Sequence, residues 1–183
     1  MLNDARTGEV ADDPVLPPLP STGRLQELLF DAARLGRVDV IPALLQAGAD
    51  IGASDAKGYT PLILASYNGH EAATALLLSN GADVDQADEG RGNTALMGVA
   101  FKGYEHVAAL LLDAGALPDA RNNAGQTALM MAALFGHHAI VDRLLASGAD
   151  PHARDIAENS AITVAKAQGN DAMVSRLMSV QIL

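Results

Sequence analysis

DAKGYTPLILASYNGHEAATALLLSNGADVDQA, residues Asp55 to Ala87, decides how the whole chain is read. The stretch opens on Asp55 and Gly58, turns at Thr60-Pro61-Leu62, runs through apolar residues to Gly69-His70, and closes on Leu76-Leu77-Leu78 and Gly81-Ala82-Asp83. The same frame returns downstream. Hydroxyl residues that open helices stand at Thr60, Thr94, Thr127 and Ser160. Mid-unit glycines are Gly36, Gly69, Gly103, Gly136 and Gly169, and closing glycines are Gly48, Gly81, Gly115 and Gly148. All of these landmarks recur every 33 or 34 residues. A unit this short cannot bury its apolar face alone, so successive units must stack.

Within the stretch, Thr60 is a helix N-cap and Pro61 occupies the first turn, where its missing N–H costs nothing. Gly69 breaks the first helix and Gly81 ends the second, both in turns that a Cβ would strain. Leu62, Leu64 and Ala65 face the stack. His70 is expected to bond backbone as part of the scaffold.

The Thr-Pro-Leu opening, the Gly-His pair and the Leu-Leu-Leu-x-x-Gly-Ala-Asp tail resemble the ankyrin repeat family, from about Thr22 to the C-terminus. The resemblance implies an all-α solenoid of about five helix-turn-helix repeats with polar capping repeats at both ends. Approximate units are 22–54, 55–87, 88–121, 122–153 and 154–183, preceded by a proline-rich, extended or disordered leader over 1–21. A helix over about Leu25 to Arg34, capped by Ser21 or Thr22, begins the first unit, and Val38, Ile41, Leu44 and Leu45 face inward in its second helix. Val174, Leu177, Met178 and Leu183 are expected to cover the previous unit at the far end. One departure from the family runs throughout. The histidine that commonly follows the Thr-Pro-Leu triplet is replaced by Ile63, Met97, Met130 and Thr163. Inter-repeat cohesion therefore shifts toward apolar contact, with Met97, Met130 and Met131 as adaptable core fillers.

The third unit is one residue longer, within Asp88-Glu89-Gly90-Arg91-Gly92. Lengthening a loop is entropically cheap, so this insertion leaves the helices in register. The fifth unit departs most, with Glu158 where the other units have Gly58, Gly92 and Gly125.

Composition narrows the partners. Twelve Lys and Arg against 22 Asp and Glu give a formal charge of -10, which works against phosphate backbones and anionic membrane surfaces. No nucleic-acid or membrane partner is expected. There is no cysteine, hence no disulfide and no thiolate site. No apolar run of membrane-spanning length occurs, and the first twenty residues lack the pattern of a signal peptide. A cytoplasmic location is expected, with the periplasm as the alternative if a signal segment preceded this numbering.

No nucleophile elbow, phosphate loop or separated carboxylate pair is present, so a non-enzymatic role without cofactor or metal is expected. Adjacent His137 and His138 point in different directions on a helix. Asp55, Asp88 and Asp155 read as frame residues of the turns.

In a stack of this type, the turns and the exposed side of the first helices form a concave face. Residue by residue, that face places Tyr67, Phe101, Leu134 and Phe135 at its centre and Tyr59, Lys57, Arg91 and Lys102 at its edge. Four of these are aromatic, of only six aromatics in the chain. Aromatic anchors ringed by polar groups suit recognition of a protein partner, and filling of the narrow spaces between repeats is the competing role. Resemblance to small stand-alone bacterial ankyrin proteins implies a stress-defence accessory supporting a catalase, or else a regulatory inhibitor. A monomer is expected, with exposed Leu134-Phe135 as the face of a dimer in the alternative.

Overall fold

The side-chain hydroxyl at the head of each unit sets where its first helix begins. In the computed structural model, which describes residues 20–179, Thr60 Oγ1 accepts the N–H of Ile63 at 3.2 Å and α3 (Pro61–Tyr67) follows. Thr94 and Thr127 do the same for α5 (Ala95–Lys102) and α7 (Ala128–Phe135). Ser160 starts α9 (Ala161–Ala167) through a reciprocal capping box with Thr163. Ser21 caps α1 (Thr22–Leu35), which extends beyond Leu25–Arg34 at both ends, since its cap lies immediately before Thr22 and the left-handed Gly36 ends it after Leu35. Each first helix is followed by a second one, namely α2 (Ile41–Gln46), α4 (Glu71–Ser79), α6 (Glu105–Asp113), α8 (His138–Ala146) and α10 (Asp171–Met178).

Among the described residues, ten helices form two layers. α1, α3, α5, α7 and α9 pack on one another in sequence; α4, α6, α8 and α10 do likewise, and each first helix packs on its own second helix. Leu29, Ile41, Leu77, Leu96, Leu111 and Leu129 are fully buried in the continuous core. Alanines at Ala65, Ala132 and Ala165 are buried in the first-helix row and let it pack closely. The chain is thus an all-α solenoid of five helix-turn-helix repeats.

Hydrogen bonds between neighbours supplement burial. His70 Nε2 lies 2.9 Å from the Arg34 carbonyl and His137 Nε2 lies 3.2 Å from that of Phe101, which gives both rings the backbone role expected of His70. Each ring occupies the space beside the preceding repeat's mid-unit glycine. At Gly103, with φ of 83°, a Cβ would come within 2.5 Å of His137, so both the backbone conformation and the ring require glycine.

The connections between repeats project as fingers. Asp55, Asp88, Asn122 and Asp155 each hold their own finger closed by accepting backbone N–H groups, as at Lys57 and Tyr59 for Asp55. Asp88 absorbs the inserted residue by taking four such donors, from Gly90, Arg91, Gly92 and Asn93. Adjacent fingers are joined by backbone bonds: Glu89 donates to Gly58, Asn123 to Arg91, and Ile156 to Ala124. In the last finger, the Glu158 carbonyl accepts from Arg154 of the same finger.

Several expectations are corrected. Val38 is exposed, because it lies in the turn before α2. Met178 is also exposed, while Met173 and Leu177 fill the core from α10 and Val174 is half-buried against it. Leu183, and all of the leader up to residue 19, lie outside the described residues. Met97 and Met130 are buried and Met131 is half-buried against the core. Gln26 does more than make the first repeat polar: its amide brackets Asp50, donating to the carbonyl and accepting from the N–H. Among the described residues, no helix is long and apolar enough to cross a membrane.

Glu158 has φ of 62°, the only non-glycine residue with positive φ among those described. At Gly58 a Cβ would meet Glu89 at 2.8 Å, whereas no finger beyond Glu158 is among the described residues. Glu158→Gly is therefore expected to stabilise the chain by about 1 kcal/mol in urea denaturation, relieving left-handed strain. Gly58→Ala is expected to cost more than about 2 kcal/mol by the same measurement, because strain and crowding add.

Candidate recognition groove

A groove of about 560 Å³ runs across the second, third and fourth repeats, between the fingers and the first-helix layer. Its apolar lining comes from Ile63, Leu64, Met97 and Met131, its aromatic lining from Tyr59, Tyr67 and Phe101. The fingers add Lys57, Arg91, Asn93, Asn122 and Gln126. This division follows from the repeat: residues late in each first helix project past the stack, and residues after each Asx turn face them.

Gly98 seats the Tyr67 ring. A Cβ at Gly98 would lie 3.1 Å from that ring, which accounts for a glycine inside α5 where alanine would favour the helix. Lys102 Nζ stands 5.0 Å from the centre of the Tyr67 ring and 6.0 Å from that of Tyr104, within cation–π range of both. Phe101 and Phe135 meet edge to face at 4.7 Å between ring centres, a favoured geometry for the aromatic quadrupole. Phe135 in turn stacks at 6.3 Å on His137, the ring that bonds the Phe101 carbonyl.

Five of the eight residues expected at the site, Lys57, Tyr59, Tyr67, Arg91 and Phe101, line this one groove. Lys102 joins through Tyr67 and Phe135 through Phe101. Leu134 is exposed and does not line it. Tyr67, Phe101 and Phe135 are 42%, 42% and 47% exposed, so each ring both packs against a neighbour and presents a face to solvent. Sequence reasoning missed Asn122 and Asp88 as lining residues. Their shared position at the head of a finger was the available signal.

Among the described residues no group of three histidine, cysteine or carboxylate side chains is placed to hold a metal. His106 and His138 are exposed, and His106 Nδ1 lies 3.5 Å from a Glu71 carboxylate oxygen. Outside the groove, a hydrogen bond from Arg37 holds the exposed Asp39 carboxyl below the usual carboxylate range.

Comparison with known proteins agrees with this architecture. The family model described as ankyrin repeats (3 copies) matches residues 21–88 and 75–155. The chain belongs to the ankyrin repeat family. It is 44% identical over 62 residues to oxysterol-binding protein-related protein 1 of Rattus norvegicus, covering 33% of this chain and 6% of that protein. It is 39% identical over 62 residues to ankyrin repeat domain-containing protein 29 of Danio rerio, covering 33% of this chain and 21% of that one. The mitochondrial disaggregase of Bos taurus is 36% identical over 61 residues, 33% of this chain and 9% of the relative. The chain thus spans about a fifth or less of the length of these relatives. The fold is consistent with a protein-binding module.

Gly98→Ala tests the seat of Tyr67. The new methyl group favours α5 and asks the half-exposed Tyr67 ring to give way by a small shift, so the variant is expected to be more stable than wild type by about 0.5 kcal/mol in urea denaturation. A loss of stability would place Tyr67 among the rigid packing groups.

Proposed function

We propose that the chain is a non-enzymatic recognition module that takes a protein partner in the groove of the second to fourth repeats. The observation that carries this reading is the arrangement of Tyr59, Tyr67 and Phe101 along one groove, with Phe135 braced against Phe101. Rings packed on one face and open on the other present large apolar contact area at small entropic cost, while finger side chains supply a polar rim. The groove has no feature among its lining residues that singles out a catalase as the partner.

Phe101→Ala and Phe135→Ala separate recognition from packing. Each is expected to weaken binding of a captured partner by at least about 2 kcal/mol in isothermal titration calorimetry, with a smaller loss of stability in urea. Equal losses in the two assays would make the pair a packing element, and full binding by both variants would move the interface elsewhere.

A further inference from the structure

The polar lining of the groove is organised by Asn122. The corresponding position in the other three fingers is an aspartate, Asp55, Asp88 or Asp155. Asn122 keeps the turn-closing role: its Oδ1 accepts the backbone N–H of Ala124 at 3.0 Å and of Gln126 at 2.9 Å. Two backbone donors on one atom fix the amide's orientation, since only the oxygen accepts. The other atom is therefore Nδ2, and it donates to Asn93 at 2.9 Å and to Gln126 at 3.1 Å. Those side chains must turn their oxygens toward it. Their own NH₂ groups are thereby directed away, and neither donates to a protein acceptor among the described residues, nor is either a buried unsatisfied atom. Both side chains line the groove.

Charge points the same way. Lys57 and Arg91 line the groove and Lys102 lies over Tyr67. Among the described residues none of the three forms an ion pair, as is also true of Arg121, Arg143 and Lys166, whereas Arg24, Arg34, Arg37, Arg154 and Arg176 all do. The acid of the lining, Asp88, is buried with both oxygens committed to backbone N–H groups. In a chain of formal charge -10, the groove is a local reversal of sign, supplied with oriented N–H donors. Such a surface complements an anionic acceptor.

Resting on the groove reading above, we propose that the partner's recognised element is an acidic linear segment. The side-chain carboxylate of an Asp or Glu accepts from the Asn93 and Gln126 amides, with Lys57 and Arg91 supplying charge. An adjacent aromatic or aliphatic side chain packs on Tyr67 and Phe101.

The decisive variant is Asn122→Asp. Aspartate retains the acceptor for Ala124 and Gln126, as it does in the other fingers, but has no NH₂ to donate. The Asn93 and Gln126 amides then rotate to donate inward and present oxygens to the groove beside a new negative charge. The experiment pans a display library of 12-residue linear peptides against the full chain, then measures resynthesised peptides by fluorescence anisotropy. Enriched peptides are expected to place Asp or Glu next to an aromatic or aliphatic residue. Asn122→Asp is expected to weaken their binding at least about tenfold with the urea midpoint retained, and Glu→Gln in the peptide to abolish that difference. Neutral or basic peptides that bind Asn122→Asp as well as wild type, yet are lost with Phe101→Ala, would overturn the carboxylate inference and leave the groove reading standing. Peptides unaffected by Phe101→Ala would overturn both. A library yielding no binder would overturn the linear-segment proposal while leaving recognition of a folded partner intact.

Discussion

Between the first four repeats, a ring is seated where a side chain is missing. His70 lies against Gly36, Tyr104 against Gly69 and His137 against Gly103, each close enough that a Cβ on the glycine would force the ring to move. Burial of the leucine core is non-directional and would tolerate small slides between neighbouring helix pairs. Ring and glycine convert that contact into a fixed step. The two histidines add a bond to the preceding helix's last carbonyls, whereas Tyr104 fills the same space by packing against the core. With the step fixed, fingers arrive within backbone hydrogen-bonding distance of one another, and the rings late in α3, α5 and α7 come to rest along a single line of repeats.

Much of this was legible because it repeats. Two independent sets of glycines at 33 or 34 residues specify a stack, and hydroxyl caps specify where helices start. The aromatic residues of the groove were legible for the same reason, since equivalent positions share a face. Features that depend on a single residue's neighbours were not. That Val38 and Met178 are exposed follows from a turn and from the exposed side of α10, which an apolar residue type does not reveal. Leu134 shares its register with the groove residues but lies beyond the groove's lining. The donor pattern around Asn122 depends on three side chains from two fingers and on which atom of each amide meets which backbone group, information that spacing does not contain.

The relatives sharpen the distinction between scaffold and surface. An oxysterol-binding protein-related protein and a mitochondrial disaggregase each match this chain over about 60 residues. In this chain the caps, glycines and leucines of the repeat are imposed by stacking. Recognition resides in the positions that stacking leaves unconstrained. Here those positions combine exposed ring faces with carboxamides whose orientation is dictated from within the finger.

The Arg154 guanidinium on the Glu158 carbonyl has a consequence for assembly. A row of fingers joined by backbone bonds is in effect a very narrow ladder, and an open edge of any such ladder offers main-chain groups to a similar segment that approaches. Arg154 occupies one main-chain acceptor of the fifth repeat's rung, the Glu158 carbonyl, with a cation from that same rung. The exposed Glu158 and Arg154 side chains beside it, themselves paired at 3.5 Å, place charge where an incoming strand would need to shed water. The fifth repeat's rung thus carries charge and a satisfied carbonyl at its tip, features that disfavour strand pairing there.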